Sequence, residues 1–168
     1  MTAESAVQLL GTLGEYGVDA CVGGDWAVDA LLEEQTRVHS DLDLWLAAAD
    51  IEPLFVAVTR IGINQILPWP GDRPWNFVLH DGARLRIDLH FYELISGGQL
   101  HYGAFSSDEV FPVAALAGQG KIGGRQVRCE APEWAVRWHA SYPPRTIDRH
   151  DVPLLCERFA LRLPDAYR

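Results

Sequence analysis

The sequence predicts an α/β (α+β) protein with a central mixed or antiparallel sheet flanked by helices and with further helices at its C-terminal end. Alternating apolar and polar residues predict strands, most clearly at 42–47 and 85–92. Apolar residues at helical spacing predict helices near the N-terminus and after Pro132. A chain of 168 residues that is 48% hydrophobic can bury a substantial core.

The first 60 residues alternate between helices and strands. Val7, Leu10 and Leu13 lie at helical spacing, and Gly17 ends that helix. Pro53 is tolerated because it falls in the first turn of a helix. We predict helices from about Glu4 to Tyr16, from the Gly23-Gly24 turn to near Glu34 and from Ile51 to Arg60, and strands over Val18–Val22 and Leu42–Ala47.

The remainder begins with strands and ends with helices. Asp81-Gly82 between alternating runs predicts a hairpin, and residues 121–129 predict another. Pro153 indicates that the last helix begins near Asp151 or bends there. We predict strands over Ile63–Leu67, Trp75–His80 and Leu85–Tyr92, a turn at Pro70-Gly71-Asp72, and a helix from Pro132 to about Ala140.

Two aspartates one residue apart are the main chemical feature of the sequence. On a strand, Asp41 and Asp43 project from one face about 6.6 Å apart, while Leu42 points to the other face. Such paired carboxylates favour a hard cation, above all Mg²⁺. Asp88 lies on the polar side of another alternating run. We expect the two strands to be neighbours, so that Asp88 completes a triad around the cation.

Composition excludes several classes of protein. The net charge of −9 argues against a nucleic-acid binder and fits a small cationic partner. No apolar run is long enough to cross a membrane, and the first residues do not resemble a signal peptide. Three scattered cysteines without metal-ligand spacing indicate a reduced, cytoplasmic compartment. The chain also contains no P-loop, serine-hydrolase or zinc-protease motif.

The Gly23-Gly24 turn and the aspartate motifs together resemble the nucleotidyltransferase superfamily typified by DNA polymerase β. Within it, the chain is most similar to the small antibiotic nucleotidyltransferases, which include the LinA-type lincosamide enzymes and the aminoglycoside 2″-adenylyltransferases. The resemblance covers most of the chain and is most specific in its first half. It rests on Gly23-Gly24-Asp25-Trp26, Gln35-Thr36-Arg37, His39-Ser40-Asp41-Leu42-Asp43 and Arg86-Ile87-Asp88.

The resemblance implies transfer of a nucleoside monophosphate, usually AMP from ATP, to a hydroxyl of an antibiotic or similar small molecule. Mg²⁺ would be held by Asp41, Asp43 and Asp88, because in-line phosphoryl transfer requires neutralisation of the phosphate charge. Asp88 would also accept the hydroxyl proton as general base. The implied organisation is a nucleotidyltransferase catalytic core at 1–95 and a C-terminal hairpin and helical segment at 96–168, packed as one compact domain.

The same resemblance implies a set of nucleotide contacts. Gly23 and Gly24 would let the backbone approach the triphosphate at the start of the following helix. Arg37 is the natural phosphate partner, and Thr36 and Ser40 are further candidates.

Some features depart from this pattern or leave it open. Asp25 stands where a carboxylate would repel phosphate, so we expect it to cap the helix instead. We expect structural hydrogen-bonding roles for His39, His90 and His139. The short C-terminal part favours a homodimer with shared clefts. Two alternative functions remain: a catalytically silent module that binds a nucleotide or small ligand, and transfer to a protein hydroxyl.

Overall fold

A computed structural model of the chain describes residues 1–68, 76–103 and 107–168, with only the backbone of Pro68. The predicted turn at 70–72 and the predicted strand start at Trp75 lie outside these ranges. The helices are α1 (Ala3–Glu15), α2 (Gly24–Leu32), α3 (Ile51–Arg60), α4 (Pro132–His139) and α5 (Asp148–Arg158). The strands are β1 (Cys21–Gly23), β2 (Leu42–Ala47), β3 (Gln65–Pro68), β4 (Phe77–His80), β5 (Arg86–Ile95), β6 (Gln99–Tyr102), β7 (Val110–Pro112), β8 (Gly118–Ile122) and β9 (Arg125–Cys129).

All of these strands belong to one mixed sheet, which confirms the predicted fold class. Its order is β3-β4-β5-β2-β1-β9-β8. Strand β6 pairs with the C-terminal end of β5 and also with β7. The pairs β2–β5 and β1–β9 are parallel, whereas the other neighbours are antiparallel. Each parallel pair includes one of the neighbouring strands β1 and β2, and β1 leads into the glycine turn. The C-terminal hairpin therefore forms one edge of the sheet and joins it at β1.

Both predicted hairpins are present. The β8–β9 hairpin turns through Gly123 and Gly124, which both have positive φ, as a tight two-residue turn between strands requires. The β4–β5 hairpin has a longer loop, because His80 pairs with Arg86. One carboxylate oxygen of Asp81 accepts three amide hydrogens from that loop, which holds it in shape.

Several predicted boundaries differ from the structure, and β5 continues to Ile95, three residues beyond its predicted end. The first strand begins only at Cys21, since the amide of Val18 turns back to Leu13 and closes the end of α1. β3 begins two residues later than expected, at Gln65. The last helix begins one turn earlier than expected, at Asp148, whose carboxylate accepts the backbone N–H of Arg145. Pro153 lies within that helix.

The two faces of the sheet have different neighbours. On one face, Leu42 and Leu44 of β2 and Ile87 and Leu89 of β5 join the main core against the helices. The opposite face carries Asp43 and Asp88, and next to them a smaller apolar cluster. That cluster contains Cys21, Trp45, Leu100, Tyr102, Phe111, Ala115 and Leu116. The strict alternation of β2 and β5 thus separates a packing face from a polar face, as the sequence predicts.

Helix α2 lies very close to β8. A β-carbon at Gly120 would fall 2.2 Å from the carbonyl oxygen of Ala30 and 2.4 Å from its carbonyl carbon. The strand backbone can approach the helix backbone only because glycine has no side chain there. This contact fixes α2 against the C-terminal hairpin. In the described ranges no helix is long and apolar enough to cross a membrane.

Candidate active site

The structure brings the predicted carboxylates together at the start of two parallel strands. Asp43 of β2 and Asp88 of β5 are direct register partners. Asp41 lies just before β2, in the segment that leads into it. The predicted adjacency of these two strands is therefore confirmed. It follows from the apolar residues on the other face, which pack into one core.

His90 joins the carboxylates. Its Nε2 lies 3.4 Å from Oδ1 of Asp43, and its Nδ1 lies 2.9 Å from the hydroxyl of Tyr102. Asp43, Asp88 and His90 present ligand atoms that all lie within 4.8 Å of one another. His90 makes hydrogen bonds, as expected, but it also lies close enough to the carboxylates to serve as a metal ligand. The sequence could have indicated this, because Asp88 and His90 are two residues apart on one strand and therefore share a face.

Asp41 lies at the edge of this group. Its Oδ1 accepts a hydrogen bond of 2.8 Å from the hydroxyl of Ser40, and its Oδ2 is 3.6 Å from Nε of Arg86. Ser40, predicted as a nucleotide contact, is therefore next to the acidic group in space as well as in sequence. A role for Ser40 in binding nucleotide stays a prediction.

The carboxylates strongly affect one another. Burial raises the pKa of Asp88 to about 6, and the negative charges of Asp43 and Asp41 contribute to the rise. Burial and the charge of Asp43 also raise the pKa of Asp41. For His90, burial lowers the pKa, but the hydrogen bond to Asp43 and the surrounding negative charge outweigh it and raise the pKa to about 10. The negative charges of the carboxylates are therefore not fully balanced by positive charge within the site.

Asp88 also has an unsatisfied oxygen. Its side chain is only 8% exposed, and its Oδ1 is buried without a hydrogen-bond partner in the described structure. A buried carboxylate oxygen without a partner is costly. A cation would supply the missing partner and relieve the repulsion between the aspartates. The residues present therefore fit a divalent metal with oxygen ligands.

The glycine turn lies directly against this acidic group. Gly23 ends β1, and Gly24, with a φ of +55°, begins α2. A β-carbon on Gly24 would fall 2.4 Å from Oδ2 of Asp43. Both the positive φ and this close approach require glycine. The sequence-predicted turn and the sequence-predicted carboxylates are thus parts of one site.

A fourth carboxylate, Glu130, lies beneath the turn and was not predicted from the sequence. Its Oε1 accepts hydrogen bonds from the amide of Gly24, at 3.3 Å, and from Nε1 of Trp45, at 2.7 Å. Burial raises the pKa of Glu130 to about 7, although the bond from Trp45 acts in the opposite direction. No local pattern singles out a glutamate that follows a hairpin, so the sequence carried no signal for it.

Asp25 and Arg37 form an ion pair next to the turn. Nη2 of Arg37 lies 2.6 Å from Oδ2 of Asp25 and 2.7 Å from Oδ2 of Asp151. The expectation that Asp25 caps α2 is wrong: Gly23 occupies the N-cap position, and Asp25 lies inside the first turn. Its carboxylate turns instead toward cations, including His139 at 3.7 Å. These cations offset the repulsion that Asp25 would exert on phosphate.

Burial alone would raise the pKa of Asp25. The ion pairs with His139 and Arg37 outweigh burial and hold the pKa of Asp25 well below its usual range. Arg145 lies 3.6 Å from the same carboxylate and pairs at 2.7 Å with Asp148. The start of α2 is thereby tied to the C-terminal helices by charge.

Asp29 of α2 anchors the loop that precedes the aspartates. Oδ1 of Asp29 accepts hydrogen bonds from the amide and the hydroxyl of Thr36, at 3.1 and 2.7 Å. Its Oδ2 bonds to Nε2 of His39, whose ring lies 4.3 Å from that of Trp26. The expected structural role of His39 is confirmed. Thr36 and Arg37 have protein partners in this structure, and their contacts with nucleotide stay predictions.

The buried imidazole of His139 should make stability depend on pH. Burial lowers its pKa, but the ion pair with Asp25 and the charge of Glu130 outweigh it and raise the pKa to about 9. A raised pKa stabilises the folded state fully below the unfolded value of 6.5, and this stabilisation is lost as pH rises through about 9. Between pH 6.5 and 9 the free energy of unfolding of the wild type should fall. In His139→Gln this fall should be smaller, by at most about 3 kcal/mol.

Urea unfolding at the two pH values measures this difference. His150→Gln is the matched control, because the side chain of His150 is 51% exposed. The control should lose as much stability as the wild type. An equal loss in His139→Gln would contradict the assignment.

Comparison with solved structures places this fold within a class. The structure of lincosamide adenylyltransferase LnuA, bound to lincomycin, matches with a TM-score of 0.78 and 20% identity, over 92% of this chain and 96% of that one. ANT(2'')-Ia, in complex with adenylyl-2''-tobramycin, matches with a TM-score of 0.71 and 22% identity, over 94% of this chain and 88% of that one. The fold is that of the antibiotic nucleotidyltransferases.

Sequence comparison narrows the class to a family. The model of the aminoglycoside-2''-adenylyltransferase family matches residues 6–155, and the chain belongs to that family. A 2''-aminoglycoside nucleotidyltransferase of Klebsiella pneumoniae is 27% identical over 155 residues, which cover 87% of this chain and 76% of that protein. One of Escherichia coli is 26% identical over 153 residues, with the same coverage. The protein is accordingly an enzyme that transfers a nucleotidyl group, as its motifs predicted.

Proposed function

We propose that the enzyme transfers AMP from ATP to a hydroxyl of a small antibiotic of the aminoglycoside or lincosamide type, in a reaction that requires Mg²⁺. The observation that carries this proposal is the pairing of Asp43 with Asp88 beside the glycine turn. The named relatives act on, or are seen bound to, such antibiotics. Family membership favours this function over a silent binding module.

Asp41, Asp43 and Asp88 would hold the metal. Mg²⁺ bound there would neutralise charge on the phosphate oxygens and align nucleophile and leaving group. The acceptor hydroxyl attacks the α-phosphorus of ATP, and pyrophosphate leaves in line. Asp88 takes the hydroxyl proton, and its position opposite Asp43 at the start of the two parallel strands suits it to that role.

The nucleotide is proposed to lie at the glycine turn. The start of α2 provides a positive helix end for its phosphates. The amide of Gly24 already donates to Glu130, so the phosphates would meet the amides that follow it. Gly23 and Gly24 leave room for this approach, and Thr36, Arg37 and Ser40, in the segment between α2 and β2, are proposed as further contacts.

The acceptor is proposed to lie along the aromatic residues next to Asp43. Trp45 is itself buried, with the rings of His90 and Trp138 each 4.8 Å away, whereas Trp138 is partly exposed. Amino groups of an aminoglycoside or lincosamide are cationic, and tryptophan faces attract cations. The net charge of −9 acts in the same direction. A cytoplasmic location and a homodimer with shared clefts are further proposals, the first supported by three free, buried cysteines.

The test is an incubation with Mg²⁺, mixed nucleoside triphosphates, and a panel of lincosamides and aminoglycosides, followed by mass measurement of the products. We expect one acceptor class to gain a single adenylyl group and the reaction to stop when EDTA removes the metal. Nucleotide binding without any product would favour the silent module. Labelling of the protein itself, with no small-molecule product, would favour transfer to a protein hydroxyl.

A further inference from the structure

Glu130 connects the two elements on which the proposed nucleotide site depends. Its backbone amide bonds to the carbonyl of Val22 at 3.0 Å, just beyond the parallel pairing of Val22 with Cys129. The end of β9 therefore runs beside the end of β1. This places the Glu130 side chain at the level of the glycine turn.

One oxygen of Glu130 joins the turn to β2. Oε1 accepts the amide of Gly24 and the indole N–H of Trp45 at the same time. Trp45 lies two residues after Asp43 on the same face of β2. Glu130 thus sets the distance between the turn and the strand that carries a proposed metal ligand.

The turn is enclosed from both sides. A β-carbon on Gly23 would lie 2.8 Å from Oε1 of Glu130 and 2.9 Å from Nε1 of Trp45. On the other side, a β-carbon on Gly24 would lie 2.4 Å from Asp43. The turn therefore has little room to move relative to either carboxylate.

The burial of Glu130 makes its two hydrogen bonds important. The residue is only 3% exposed, and its Oε2 is buried without a hydrogen-bond partner in the described residues. Burying a carboxylate is costly, and a neutral amide could accept the same two hydrogen bonds. The carboxylate also lies at the positive end of α2, next to the proposed phosphate site.

We infer that Glu130 is a positioning residue for nucleotide binding: it holds the Gly23–Gly24 turn at a fixed distance from Asp43 through its bonds to Gly24 and Trp45. This inference rests on the proposed function in one respect, the place of the nucleotide at the turn. Glu130 does not itself contact the reacting atoms. Glu130 acts through the oxygen that accepts these two hydrogen bonds, so the amide oxygen of a glutamine should serve equally well.

Binding of Mg²⁺ and α,β-methylene-ATP, measured by calorimetry without an acceptor, tests the inference. Glu130→Met removes the acceptor oxygen at similar size and should weaken binding by about 10- to 100-fold, because a turn that is no longer held must be ordered when the nucleotide binds. Glu130→Gln keeps an acceptor and should bind within about threefold of the wild type. Glu133→Gln, an exposed glutamate nearby, is the matched control and should have no effect.

A second measurement reports the structural link directly. The indole N–H resonance of Trp45, identified by its loss in Trp45→Phe, should move in Glu130→Met and remain in place in Glu130→Gln. If Glu130→Met does not fold, Glu130→Ala replaces it as the variant without an acceptor.

The possible outcomes separate this inference from the proposed function. The inference is overturned if Glu130→Met binds the analogue as tightly as the wild type does. It is also overturned if Glu130→Gln loses as much affinity as Glu130→Met, or if the wild type does not bind the analogue. The expected binding pattern in a protein that transfers nucleotide to no acceptor would support the inference and remove the proposed function.

Discussion

Asp43→Asn is expected to lower kcat/KM for nucleotidyl transfer by at least about 1,000-fold, or about 4 kcal/mol of transition-state stabilisation. Asparagine keeps the size of the side chain and an oxygen for His90. It removes the negative charge that faces Asp88 across the parallel strands. A cation held by the remaining carboxylates would be bound more weakly and would be placed less well for in-line transfer.

The same substitution should not destabilise the fold. The charge of Asp43 raises the pKa of both Asp41 and Asp88, which shows that the three carboxylates repel one another. Removing one charge relieves that repulsion but also takes the counter-charge from His90, so the two effects offset each other and the unfolding midpoint should change little. Loss of activity with retained stability separates a catalytic role from a structural one.

Product formation by mass spectrometry and unfolding in urea measure the two effects. Asp165→Asn is the control, because this carboxylate is 77% exposed and pairs only with neighbouring surface arginines among the ion pairs of the described chain. The control should retain full activity. If Asp43→Asn transferred nucleotide within about tenfold of the wild type, the metal-ligand role of Asp43 would be refuted.

Gly120→Ala is expected to lower the free energy of unfolding by about 2–3 kcal/mol or more. The added methyl group would meet the backbone of Ala30, which cannot rotate away as a side chain can. Strand β8 and helix α2 would have to separate. Because α2 begins at the glycine turn, we also expect nucleotide binding to weaken.

Gly14→Ala is the matched control for this substitution. Gly14 lies in α1, and a β-carbon there meets no atom within 4 Å. Alanine is the better helix former by about 0.5–1 kcal/mol, so the control should be neutral or slightly stabilising. Urea unfolding gives both values. A Gly120→Ala variant as stable as the wild type would show that the helix and strand can move apart freely.

Local patterns in the sequence predicted most of the fold. Alternation identified β2 and the polar face of β5, and Gly17 and Pro132 marked helix boundaries that the structure contains. The apolar faces then required Asp43 and Asp88 to share one side of the sheet. This much follows from side-chain periods of 2 and 3.6 residues and from the need to bury one face.

The remaining features depend on contacts between distant parts of the chain. The closeness of His90 to Asp43 requires the parallel register of β2 and β5, which periodicity alone does not fix. Glu130 is 106 residues from Gly24, and no local signal relates them. Asp25 was expected to satisfy local amides, but tertiary ion pairs with Arg37 and His139 prevail.

The pairing of β1 with β9 also determines when this site can form during synthesis. The glycine turn emerges from the ribosome early, yet the strand next to it and the carboxylate beneath it follow only at residues 125–130 of 168. Contacts between residues so far apart in sequence form slowly. Until that late stage β1 has an open edge, and the nascent enzyme cannot hold its turn in place.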